Sequence, residues 1–255
     1  MSFFNKFPTT EYDIFGRNLK SKIPDIFKQV RIVDKRFDSI TPYRLLEIAD
    51  QRPDQLSYEL YGTTDFHWTF FIINNHLKYG HTDWPMTDKQ FEEYVSEKYQ
   101  GYAITGHRTV EDDMNLNSVQ GFFAIGSTLS YDNAGTITPN AIVTARNAKV
   151  NQIAFKYTGN HVFTQTENIY GPNTTFFGNP EGTGFTIRPY AESVHHYEDE
   201  DGNLISNFEN YRLPLREISY YDYEKRMNDE RRSIRVLKRE YIEDFSIEFR
   251  KAVNA

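Results

Sequence analysis

"PYRLLEIADQRPDQLSYELYGTTDFHWTFFIINN", from Pro42 to Asn75, carries the strongest local signals in the chain. Its opening residues predict a strand from Pro42 to Ile48. Pro53 suits the first turn of a helix, where its missing N–H leaves no donor unpaired. Leu56 and Leu60 then fall one turn apart on one face, and Gly62 offers the left-handed residue that stops the helix. Thr64 or Asp65 can cap a second helix running to Ile73. That helix is apolar all round, with Phe66, Phe70 and Ile73 on one side and Trp68 and Ile72 on another. It is therefore expected to be buried on every side. Asn74 and Asn75 close it, since asparagine tolerates a left-handed residue. The order is strand, helix, helix.

Outward from this stretch the texture changes twice. "TDKQFEEYVSEKY" starts with Thr87 three residues before Gln90, a capping-box pattern, and carries Phe91, Tyr94 and Val95 as an apolar stripe. From about Tyr102 to Arg212, glycine, asparagine and threonine punctuate runs such as "FFAIGSTLSY", "AIVTAR", "HVFTQT" and "TGFTIRPY". Alternation and the turn pairs Asp132-Asn133 and Asp201-Gly202 predict a strand-rich insertion. The C-terminal part reads helix ("YYDYEKRMNDE"), strand ("RSIRVLK") and helix, the last with Ile242, Phe245, Phe249 and Val253 on one stripe. Residues 1–40 lack periodicity and read as an extended arm with short turns. The predicted fold class is α+β, divided as 1–40 arm, 41–101 module with its following helix, 102–212 β-rich insertion, and 213–255 return to the core.

A chain of 255 residues buries roughly three quarters of its unfolded surface, so a core needs no cross-links. Cysteine is absent, which removes disulfides, thiolate nucleophiles and Cys-based metal sites, and suits a reducing cytoplasm. The net charge of −7 disfavours a general nucleic-acid binder, which needs surplus Lys and Arg on one surface. No apolar run approaches eighteen residues, so no membrane span is expected. The opening "MSFFNKFPTTEYDIFG" lacks the sustained apolar core of a signal peptide. Aromatics reach 16% although mean hydropathy is −0.68, a combination that suits either an aromatic core or protein contacts.

No catalytic constellation emerges. The histidines (His67, His76, His81, His107, His161, His195 and His196) form no HExxH helix. "HHYEDEDGN", from His195 to Asn203, places imidazoles near carboxylates, yet an Asp-Gly turn in a polar loop accounts for it. "GNPEGTG" lacks the Lys-Ser/Thr pair and the helix of a phosphate cradle. Glu92-Glu93 and Asp112-Asp113 diverge as neighbours and cannot flank one scissile bond. No cofactor, no metal and no enzymatic activity are expected.

The strand, Pro-initiated helix, "YG", second helix and "NN" resemble a LysM module at Tyr43 to Ile48, Leu56 to Gly62 and Phe70 to Asn75. A wider resemblance is to the LysM-like baseplate wedge proteins of contractile-tailed bacteriophages of the T-even type. It is carried by the opening stretch, by "DWPMTDKQFEEYVSEKY", by "HHYEDEDGN" and by "YEKRMNDERRSIRVLKREYIEDFSIEF". It implies a LysM-like βααβ core with extra helices and a structural protein of the virion tail baseplate, assembled in the host cytoplasm. The implied partners are other wedge proteins: core-bundle subunits, the neighbouring wedge, and sheath-initiating or hub-proximal subunits. The implied assembly is a hetero-oligomer with six copies per baseplate, with no nucleic acid and no membrane. Tyr58, Tyr61, Phe66, Trp68, Phe245 and Phe249 are the candidate core or interface rings. A peptidoglycan-binding LysM-type module of a tail-associated protein is the alternative, and a ligand or host surface for the insertion stays open.

Overall fold

The computed structural model of the chain describes residues 9–13, 20–24, 35–77, 79–106, 123–165, 167–171, 176–177, 185–205 and 215–254. In chain order they form β1 (Thr9–Asp13), β2 (Lys20–Pro24), β3 (Tyr43–Glu47), α1 (Pro53–Tyr61), α2 (Trp68–Ile73) and α3 (Asp88–Lys98). Then come β4 (Tyr102–Gly106), β5 (Thr128–Asn133), β6 (Thr136–Asn147), β7 (Gln152–Tyr157), β8 (Ile169–Tyr170), β9 (Phe176–Phe177) and β10 (Phe185–Pro189). The rest are β11 (Val194–Glu198), β12 (Leu204–Ile205), β13 (Arg216–Ser219), α4 (Tyr220–Arg232), β14 (Ser233–Leu237) and α5 (Ile242–Asn254). The protein is α+β. It divides into two units, one of Met1–Thr87 with Asn228–Ala255 and one of Asp88–Met227.

In the first unit β3 pairs antiparallel with β14, Tyr43 opposite Leu237 and Glu47 opposite Ser233. Opposite residues share a face, so Leu46 and Ile234 turn inward together, with Val236 beside them. α1 begins at Pro53, with the Arg52 N–H donating to Gln55 Oε1 at 3.0 Å. It ends at Gly62, whose φ of 79° is the left-handed conformation expected, its N–H donating to the Tyr58 carbonyl at 2.8 Å. α2 and α5 complete the core, where Trp68, Phe70, Phe245 and Phe249 are all buried.

The second helix departs from expectation in three ways. Thr63, not Thr64 or Asp65, caps its first turn, accepting from the Asp65 N–H, and a 3-10 turn over Thr64–Phe66 precedes α2. Burial falls off along the helix: Trp68, Thr69 and Phe70 are buried, while Phe71, Ile72 and Ile73 are half-buried. Asn74 is extended (φ −110°), not left-handed. The reason is its side chain. Nδ2 donates to the Phe70 carbonyl (2.8 Å) and the Arg235 carbonyl (2.9 Å), and Oδ1 accepts from the Arg235 N–H (2.8 Å). One amide thus ends a helix and pairs with the outer edge of β14.

In the second unit a seven-stranded antiparallel sheet runs in the order β10-β4-β7-β6-β5-β8-β9 around Ile104, Phe123, Leu129, Ile153 and Phe155. A three-stranded sheet, β12-β11-β13, shares no backbone ladder with it, although Gln152 Nε2 on β7 donates to the Val194 carbonyl on β11 at 3.1 Å. The β5–β6 turn lies at Ala134-Gly135 (φ 52° and 88°), not at Asp132-Asn133, which still pair as strand residues. Asp132 helps by accepting from the Gly135 N–H at 2.7 Å. Pro139 interrupts β6 where the β5–β6 register shifts, a position at which a missing donor does little harm. The described part of "HVFTQT", residues 161–165, is not a strand. Its backbone is held by side chains instead: Asn140 bonds both the N–H and the C=O of His161, and Tyr157 Oη accepts from the Phe163 N–H.

Of residues 1–40, Thr9–Asp13 and Lys20–Pro24 pair as an antiparallel hairpin and Lys35–Asp38 forms a 3-10 turn. The rest of the arm before residue 35, the "GNPEGTG" loop, His107 and Asp112-Asp113 lie outside the described residues.

Candidate functional site: an aromatic core with an uncovered rim

The six candidate rings separate by environment. Trp68 is 3% exposed, its ring centroid 4.6 Å from that of Phe249 and 6.1 Å from that of Phe245. Phe245 also meets Phe37 edge-on at 5.1 Å. Tyr61 is buried and donates its hydroxyl to the Leu237 carbonyl at 3.0 Å, and burial pushes its phenol pKa upward. Phe66 is half-buried, edge-on to Tyr61 at 5.8 Å. Five of the six therefore belong to one internal cluster, with Phe66 at its margin. Tyr58 stands apart from it at 63% exposure.

The helix explains Tyr58. Leu56 and Leu60 face the core, and residue 58, two positions on, turns to the opposite side. There it lines an open groove of about 600 Å³ with Ala49, Asp50, Gln51, Asp54, Gln55 and Glu59. Ile40 and Leu45 add exposures of 83% and 76% in the same unit. Sequence reasoning missed both, although alternation along "YRLLEI" puts Leu45 opposite to the inward Leu46.

Unit two holds a buried polar cluster. Glu198, buried on β11, accepts from Arg226 at 2.6 Å and contacts His196 Nε2 at 3.1 Å. His195 shares a 2.7 Å Nδ1–Nδ1 hydrogen bond with His196 and stacks on Tyr223 at 4.1 Å. Burial works against the Glu198 charge, but the Arg226 and His196 bonds outweigh it and hold the carboxyl below its usual range. Burial first, and the neighbouring His196 second, push the His195 imidazole below its usual value, with Lys98 and Arg226 acting the same way against Glu224. The side chains engage one another rather than a cavity. Their structural effect is to tie β11 to α4.

Both shifts have the same consequence in acid. The unfolded chain protonates His195 more readily than the folded one, so stability falls as pH drops below about 6.5. The Glu198 contribution is lost at still lower pH, as that carboxylate protonates through its depressed folded value. Thermal unfolding followed from pH 7.5 to 4 should show the first loss as pH falls below about 6.5. His195→Gln should shrink that early loss, and an unchanged profile would refute the assignment.

A second cluster joins α3 to α4. Glu224 accepts from Lys98 Nζ at 2.8 Å and from the Tyr99 hydroxyl at 2.6 Å, and Tyr221 donates to Glu92 at 2.6 Å. Among the described residues no group of three histidine or carboxylate side chains is placed to hold a metal. No described helix is long and apolar enough to cross a membrane.

A family model described as base plate wedge protein 53 matches residues 2–154, more than half of the chain. No curated protein matches.

Proposed function

We propose that this chain, which belongs to the phage base plate wedge protein 53 family, acts as a non-catalytic joint that binds neighbouring wedge proteins and helps close wedges into the baseplate ring. Membership itself gives the coarser statement: a structural protein of the phage tail baseplate, associated with other baseplate proteins. The finer reading extends to a contractile tail, to assembly in the host cytoplasm and to a LysM-like module. The order β3, α1, α2, with β14 closing the sheet, supports the last of these.

One observation carries the joint. The first unit uses its large rings internally, in a packed cluster that fixes side chains against one another, yet leaves Tyr58, Leu45 and Ile40 uncovered on its surface. Interfaces are built in this way, with aromatic and aliphatic anchors on a rigid support and polar residues around them. Around Tyr58 that rim is Asp50, Gln51, Asp54, Gln55 and Glu59.

Co-expression with the other wedge proteins, followed by sizing of the complex, tests the role. The chain should leave the column with its neighbours. Tyr58→Ala should change the melting point little, since exposed substitutions usually stay within about 0.5 kcal/mol, while reducing co-elution. A purified chain indifferent to every wedge neighbour would overturn the reading.

A further inference from the structure

We propose that the β1–β2 hairpin of one copy adds to the open edge of β3 in the next copy, so that two two-stranded sheets become one sheet across a subunit boundary. The inference rests on the wedge-joint reading and names the contact by which copies would be joined.

The open edge follows from hydrogen-bond parity. The Ile48 N–H donates to the Arg232 carbonyl and the Lys238 N–H to the Pro42 carbonyl, so the even-numbered residues of β3 face β14. Odd-numbered residues point the other way. The Tyr43 N–H is taken by the Ile40 carbonyl at 3.1 Å. The outward N–H and C=O groups of Leu45 and Glu47 meet no partner among the described residues. The outer edge of β14, by contrast, is closed by Asn74. Edge strands are commonly protected by a bulge, a proline or a covering element. β3 has an unbroken register and no proline, and its central residue is the exposed Leu45.

The hairpin has the complementary deficit. Thr10 lies opposite Ile23, Tyr12 opposite Ser21 and Glu11 opposite Lys22. One face is therefore Thr10, Tyr12, Ser21 and Ile23, and the other carries Glu11, Lys20 and Lys22, with a Glu11–Lys20 ion pair at 3.6 Å. None of these side chains is buried, and Tyr12 is 52% exposed. Two strands alone are marginal in water, whereas three or more with a covered apolar face are stable. Strand addition supplies main-chain bonds to Leu45 and Glu47 and can place Tyr12 and Ile23 beside Leu45.

A second copy is the occupant that fits the stoichiometry. Each chain has one hairpin to give and one edge to receive it. Head-to-tail repetition satisfies both at once, and such heterologous contacts close into rings when the rotation permits.

The test uses the full chain with Leu45→p-benzoylphenylalanine, prepared with normal and heavy isotopes, mixed, and co-assembled with the other wedge proteins. Irradiation should yield mixed-isotope cross-links from residue 45 to residues 9–24. Same-isotope links only, links to a different wedge protein, or no link in baseplates that contain the chain would each overturn the proposal. Failure to co-assemble at all would instead bring down the wedge reading beneath it. Glu47→Pro, at an exposed edge position outside the Tyr58, Leu45 and Ile40 anchors, removes an outward donor, which an edge strand tolerates. It should keep the melting point and wedge incorporation while abolishing ring closure. Intact rings from that variant would also overturn the proposal.

Discussion

Trp68→Ala is expected to destabilise the first unit by about 3–5 kcal/mol, the range for truncating a buried large aromatic. The indole is 3% exposed and lies between α2 and the α5 rings Phe245 and Phe249. Removing it costs the transfer free energy of the ring and leaves a cavity that two aromatic neighbours cannot collapse into without leaving their own partners. Denaturant unfolding followed by circular dichroism measures the loss. Phe249→Ala should fall in a similar range. The double variant should cost less than the sum of the two, because the rings are in contact and the second truncation enlarges an existing hole. A loss below about 1 kcal/mol for Trp68→Ala would place the ring outside the energetic core, since buried sites do not behave that way.

Asn74→Ala is expected to cost about 2–3 kcal/mol, because it strips partners from both the N–H and the C=O of Arg235 and from the end of α2. Asn74→Asp should be worse than Ala at neutral pH. It retains an acceptor for the Arg235 N–H but turns a carboxylate toward two carbonyl oxygens at a site 2% exposed. That environment raises the new carboxyl's folded pKa above its unfolded value. The penalty is then full above the folded value and fades as pH falls through it. Unfolding of both variants against the unaltered chain at pH 7.5 and 5 separates the cases. The Asp-minus-Ala difference should narrow in acid, and a constant difference would show that the amide protons alone matter.

The local signals that could be read from sequence were those written in adjacent residues. Pro53 and Gly62 bound α1 because each has a backbone preference that needs no tertiary partner. The Ile242, Phe245, Phe249 and Val253 stripe is buried as its spacing predicts. Features that depend on distant chain were not legible. Asn74 looked like a left-handed helix stop because nothing nearby announces that Arg235 will be its partner. "HVFTQT" has strand-like alternation, but the side chains of Asn140 and Tyr157 reach its backbone first. The rings posed a similar difficulty: composition cannot tell the stacked Trp68 from the outward Tyr58. Helical phase can, since Tyr58 lies off the Leu56–Leu60 face.

The pairing of β3 with β14 also sets a timetable for biosynthesis. A ribosome adding about 5–20 residues per second delivers Ser233–Leu237 roughly 10–40 s after Tyr43–Glu47. Until then Phe70, Trp68 and Leu46 have neither their sheet partner nor α5 to shelter against, while the intervening strands can already pair with one another. The nascent N-terminal segment thus keeps its apolar rings without a sheet partner until Ser233–Leu237 has emerged.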